Sequence, residues 1–214
     1  MKKIKLLKNN SGFTLVELIV VMALITVVTG VVYQLFATAS RYTQSVALMN
    51  EYQSITTDAI YRLRVELADR AYVESFDAAD TETDGTLKYD PANLDANYGY
   101  IVVDPVVVNA DGTSSGGGVT VKGISIDSLG NIVRNADEVI GKTDDKKPYR
   151  VQISFRSEDT GRTNIGVSIV RTDYQNPTTG DYEAKTVYTQ STTMMLRSGK
   201  PSTGQTILRY GVAA

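Results

Sequence analysis

From Phe13 to Ser40 the chain reads FTLVELIVVMALITVVTGVVYQLFATAS, and within those 28 residues the one formal charge is Glu17. As an α-helix this run is about 42 Å long at 1.5 Å per residue. About 20 apolar residues suffice to cross a bilayer, so the run is long enough to span. The segment before it, MKKIKLLKNNSG, is short and carries Lys2, Lys3, Lys5 and Lys8. Under the positive-inside rule those lysines stay cytoplasmic, and the rest of the chain lies on the other side.

A secretory signal peptide has an apolar stretch of about 7–15 residues followed by a small-residue cleavage site, and this run is longer. A plain membrane anchor accounts for the length and the flanking lysines. It does not account for a carboxylate five residues into the apolar run, where an ionised side chain costs several kcal/mol and marks a function by default.

The residues Gly12-Phe13-Thr14-Leu15-Val16-Glu17 resemble the processing site of type IV prepilins. Four features coincide: a basic leader, a glycine at the boundary, an aromatic first residue and a glutamate inside the apolar run. The resemblance implies that a prepilin peptidase cuts after Gly12 and that the new N-terminal amine of Phe13 is methylated. Glu17 then falls at the fifth mature position. A buried carboxylate is tolerated only when paired. The chain's own new amine lies about one turn away, and a neighbouring subunit's amine can also reach it. The resemblance implies the intermolecular pair, which makes Glu17 an assembly residue that fixes one axial stagger.

Beyond Ser40 the chain turns polar but keeps a helical period. Leu48, Tyr52, Ile55, Ala59, Leu63, Leu67 and Ala71 recur at steps of three or four and form one stripe. No proline interrupts 13–76, so the pattern predicts one helix of about 60 residues. Residues 13–40 are its transmembrane or filament-core half, and 41–76 its amphipathic half. Gly30 is its weak point, at about 1 kcal/mol relative to alanine. Many major pilins carry a proline at the position of Gln34, and this chain does not. The stretch Tyr33-Gln34-Leu35-Phe36, with Tyr42, Tyr61-Arg62-Leu63 and Glu66-Leu67-Ala68, is similar to W-type minor pilins and to the J-type minor pseudopilin of type II secretion. That similarity implies a minor subunit.

Past Phe76 the pattern changes. Residues 77–97 are rich in Asp, Thr, Asn and Gly and read as a surface loop. Tyr100–Asn109 is interrupted by Pro105 and reads as an interrupted or edge strand. Val119–Asp127 alternates. Tyr149, Val151, Ile153 and Phe155 alternate with Arg150, Gln152, Ser154 and Arg156, and Ile165, Val167 and Ile169 repeat the pattern. Residues 176–181, NPTTGD, are a turn from which 182–196 returns antiparallel. Asn109–Gly118, NADGTSSGGG, reads as a flexible loop. The expected fold class is α+β: a long N-terminal helix packed on an antiparallel sheet head at 77–214, after a cleaved leader at 1–12.

Composition removes most chemistry. The chain has no histidine, cysteine or tryptophan, so a Ser-His-Asp triad, thiolate chemistry and disulfides are all excluded. Asp80, Glu82, Asp84 and Gly85 begin like a calcium loop, but its twelfth position is Pro91 where a bidentate glutamate belongs. No phosphate loop occurs, because Gly116-Gly117-Gly118 lacks the following lysine. Without the leader's four lysines, 18 basic residues face 24 acidic ones, a net of −6, which does not suggest nucleic-acid binding. The expectation is a non-enzymatic structural subunit with no cofactor, metal or catalytic residue. Its partners are other pilin subunits, the prepilin peptidase, the cytoplasmic membrane and an assembly platform. Its head lies outside the membrane and ends on a cell-surface or periplasmic filament. The alternatives are a pseudopilin of a secretion or competence system, and an anchored binding protein that never polymerises.

Overall fold

The computed structural model describes residues 14–68, 70, 72–157, 162–195 and 206–212. The chain divides into two units, 1–49 and 50–214. One helix, α1 (Leu15–Leu67), contributes to both.

In the first unit α1 keeps its large apolar side chains outward. Leu15, Tyr33 and Phe36 are each about three-quarters exposed. An 18-residue window of the helix reaches a mean hydropathy of 2.7, with none of it buried inside the chain. Bare apolar surface on this scale is unfavourable in water, so it needs lipid or other helices. The polar residues within it are satisfied locally. Thr26, Thr38 and Thr43 each donate their hydroxyl to the carbonyl four residues back, at 2.8–2.9 Å.

In the second unit the C-terminal part of α1 buries Tyr52, Thr56, Ala59, Ile60, Leu63 and Leu67. Of the expected stripe, Tyr52, Ala59, Leu63 and Leu67 are buried and Ile55 is half-buried, whereas Leu48 is exposed and Ala71 lies outside the described residues. Thr56 lies in the stripe although its hydroxyl is polar, because that hydroxyl is bonded to Tyr52 O at 2.9 Å and to Gln190 Oε1 at 2.8 Å.

The helix ends at Leu67, short of the expected Phe76. Arg70 Nε donates to Glu66 O at 2.6 Å, placing a cation on the helix's last free carbonyls. Residues Tyr72–Phe76 form β1. Tyr, Val and Phe favour strands, and the segment finds a partner in β12 (Ile207–Gly211), with Val73 opposite Tyr210 and Phe76 opposite Ile207.

The head is antiparallel throughout its named pairings and holds two principal sheets. The larger runs β1-β12-β2-β5-β8, with β2 at Tyr98–Val103, β5 at Val119–Lys122 and β8 at Glu138–Ile140. The smaller runs β11-β10-β9, with β9 at Tyr149–Ser157, β10 at Arg162–Gln175 and β11 at Tyr182–Met195. Two short hairpins, β3/β4 (Val107–Val108, Ser114–Ser115) and β6/β7 (Ile124–Ile126, Ile132–Arg134), complete it. One continuous core joins Leu63 and Leu67 of the helix to Ile101, Val121, Val151, Ile153, Ile165 and Val167.

Two expectations are corrected, and a third holds in one of its two forms. The segment around Pro105 is interrupted rather than an edge, with β2 an inner strand between β12 and β5. Pro105 sits in the gap before β3, where no ladder bond is lost. Val119–Asp127 is two strands, because the chain leaves one sheet at Gly123 and pairs with β7. The glycine-rich 109–118 loop is packed rather than slack: Gly117 N donates to Asp104 O at 3.0 Å and Gly118 N to Val151 O at 2.7 Å. At Gly118, with φ +81°, an added Cβ would lie 2.5 Å from Ile140 O. Only glycine fits where the backbones approach this closely.

Candidate functional site

The site begins where the apolar helix begins. Gly12 and Phe13, the expected processing and methylation residues, lie outside the described residues. Glu17 is described, in the first turn of α1. Thr14 caps the helix. Its hydroxyl accepts from Glu17 N at 3.3 Å, while Glu17 Oε2 accepts from Thr14 N and from Thr14 Oγ1, each at 3.0 Å. This reciprocal arrangement is a capping box, which satisfies amide protons that the helix start would otherwise leave free. The box is written in the sequence as Thr14-Leu15-Val16-Glu17, inside the residues that resemble a processing site. Its consequence is electrostatic: a carboxylate stands at the positive end of the helix dipole.

In the second unit a polar clip joins α1 to β9. Glu51 Oε1 accepts from Lys147 Nζ at 2.8 Å and from Tyr149 Oη at 2.7 Å. Lys147, and then the Tyr149 hydroxyl, hold the Glu51 carboxyl below its ordinary value. Burial, reinforced by Glu51, pushes the Tyr149 hydroxyl well up. A second clip lies at the end of the helix. Glu66 accepts from Arg70 and from the Tyr210 hydroxyl, and Arg70 stacks 4.6 Å from the Tyr210 ring centre. Sequence periodicity cannot show either clip, because each pairs residues about a hundred or more positions apart.

The acidic loop uses its oxygens internally. Asp80 Oδ2 accepts from Asp77 N, Asp84 Oδ1 from Thr86 N and Oγ1, and Glu82 Oε1 from Arg209. Among the described residues no group of three or more acidic side chains is arranged to hold a metal ion. The buried cation Arg150, expected on an outer face of β9, is instead turned into a nest of carbonyls from Ser114, Asp144, Lys147 and Tyr149 at 3.1–3.3 Å. It closes the 144–148 turn, as a buried charge must be bonded.

Comparison with known proteins bears on the N-terminal segment. Residues 7–33 match the family described as the prokaryotic N-terminal methylation motif. A sequence search of characterised proteins finds no match. Among solved structures, a point mutant of the PilB minor pilin from Streptococcus sanguinis is similar at a TM-score of 0.41 and 11% identity. That match covers 77% of this chain and 35% of the solved one, so the chain corresponds to about a third of its length. The methylation motif is the signal of type IV pilins, so the N-terminal segment of this chain, with the apolar helix it opens, is of the type IV pilin kind. Motif and helix together indicate membrane anchoring.

Proposed function

We propose that the chain is a structural subunit, of the minor type, of a type IV pilus or related filament. A prepilin peptidase removes residues 1–12 and methylates Phe13. The bare helix of the first unit then passes from the membrane into the filament core through an assembly platform, carrying the 50–214 head outside. One observation carries the reading: the methylation motif at 7–33 overlaps the start of a helix whose apolar side chains are left exposed among the described residues. The minor assignment rests on the stem, where Gln34 stands in unbroken helix at the place many major pilins give to proline. In this role Glu17 pairs with a neighbour's Phe13 amine, and the chain needs no catalytic group, cofactor or metal.

The test is mass spectrometry of the protein's N-terminus in a host with a prepilin peptidase and in a host lacking it. The expected result is a chain starting at a methylated Phe13 in the first and an uncut chain in the second. A leader retained in both sinks the reading and leaves an anchored protein that does not polymerise. A pseudopilin of a secretion or competence system gives the same processed terminus, and it is distinguished by where the filament sits.

A further inference from the structure

We propose that the groove between α1 and the free edge of β11 receives the β8 edge of a second copy of this chain, so that the heads join head to tail. The proposal rests on the filament reading above.

The groove holds ≈ 550 Å³ and runs between Ile60, Tyr61, Arg64 and Val65 on the helix and Gln190–Thr192 on β11. Its helix wall is apolar and unusually bare, with Tyr61 at 67% and Val65 at 57% exposure. β11 is the end strand of its sheet, and among the described residues no strand pairs with its outer side. Free strand edges are normally protected by charge, proline or a bulge. The first half of β11 is protected in this way: it carries Glu183 and Lys185, and its pairing with β10 slips at two places opposite 183–188. The second half, Val187–Met195, has neither charge nor proline, and from Tyr188 to Met195 its ladder is regular. The unprotected half is the half that lines the groove. A strand added there would extend the sheet over Tyr61 and Val65.

Charge and area identify the occupant. The groove is lined by one cation, Arg64, and by no acid. On the opposite flank of the same helix stands β8, the end strand of the other sheet. It offers an exposed Val139 and a half-exposed Glu138. Glu138 bonds Arg62 at 2.8 Å, and Arg62 is also paired with Asp58 at 2.9 Å. Glu138 can therefore turn to a neighbour's Arg64 without leaving Arg62 unpaired. A contact made through a strand of 3 residues is far smaller than the ~1,200 Å² that a free-standing complex requires. It forms only between chains already held at high effective concentration, as copies sharing a helical core are. Because the two surfaces differ, the contact does not close on itself, and it propagates along a filament.

The chain contains no cysteine, which makes the test clean. Full-length protein carrying both Val139→Cys and Ser191→Cys is assembled into filaments, sheared, oxidised and run on a non-reducing gel. The expected result is a ladder of disulfide-linked dimers, trimers and longer species. Each single variant should give none, and adding Val65→Asp to the double variant should remove the ladder. Filaments that form normally but give no ladder overturn this inference and leave the filament reading standing. A dimer from Ser191→Cys alone means that two β11 edges meet, which overturns it as well. Failure of the unsubstituted chain to enter any filament overturns the reading beneath it.

Discussion

Thr163 shows how much a single buried atom can weigh. The residue is fully buried, and among the described residues its hydroxyl has no hydrogen-bond partner. An unsatisfied buried polar atom costs about 1–3 kcal/mol, while valine has nearly the same shape. Thr163→Val should therefore raise the unfolding free energy by about 1 kcal/mol, read from urea denaturation of the full chain in detergent; an unchanged or lowered midpoint counts against that accounting. Gly118 is the converse case. Alanine there must take φ near +81° and meet Ile140 O, and substitution at such a position destabilises by more than about 1 kcal/mol. Neither residue could be singled out from the sequence. A threonine between Arg162 and Asn164 and one glycine of three look ordinary until their surroundings are known. Glu17 was legible for the opposite reason, because a lone charge in an apolar run is anomalous without any structure. Its second role, as half of a capping box, is carried by the Thr14–Glu17 spacing, a local pattern that many non-helical segments share.

At the scale of elements, local alternation found β9, β10 and the return strand β11, since adjacent strands joined by a short turn declare themselves within some 45 residues. It missed β1 and β12, which pair with each other across more than a hundred positions, and so it extended the helix into β1. The same long reach underlies the clip between α1 and β9, and that clip has a pH signature. The carboxyl of Glu51 is depressed in the folded chain by Lys147 and Tyr149. A depressed carboxylate stabilises above its unfolded value, here the ordinary 4.5, and this contribution disappears as pH falls through the lowered folded value. Glu51→Gln should thus be less stable than the unsubstituted chain at neutral pH, with the gap closing only as the pH drops below about 4.5. Both partners are partly exposed, so added salt should narrow the neutral-pH gap. Parallel stability curves for the two chains across that range would remove the clip as their cause.

For the whole molecule, the two units place opposite demands on one helix. The first part is apolar on every side, as the filament reading requires of a helix surrounded by lipid or other subunits. The second must be apolar on one side, because it closes the head's core through Leu63 and Leu67. Glu17 sits where the first demand is most severe, and two explanations compete for it. As the N3 residue of a capping box it needs only an acceptor, which glutamine also supplies. As the partner of a neighbour's N-terminal amine it needs a negative charge, because the attraction of an ion pair in a low-dielectric core is what offsets burial. Glu17→Gln separates the two. The capping bonds to Thr14 persist, so the chain should still insert and be processed, while its incorporation into filaments should fall by an order of magnitude or more if roughly 1.4 kcal/mol of pairing is lost per tenfold. Glu17→Ala should lose incorporation and also weaken the helix start. The measurement is the ratio of sheared to membrane-held protein for each variant. If Glu17→Gln enters filaments as well as the unsubstituted chain, the carboxylate serves the helix start alone, and the stagger between subunits must be set elsewhere.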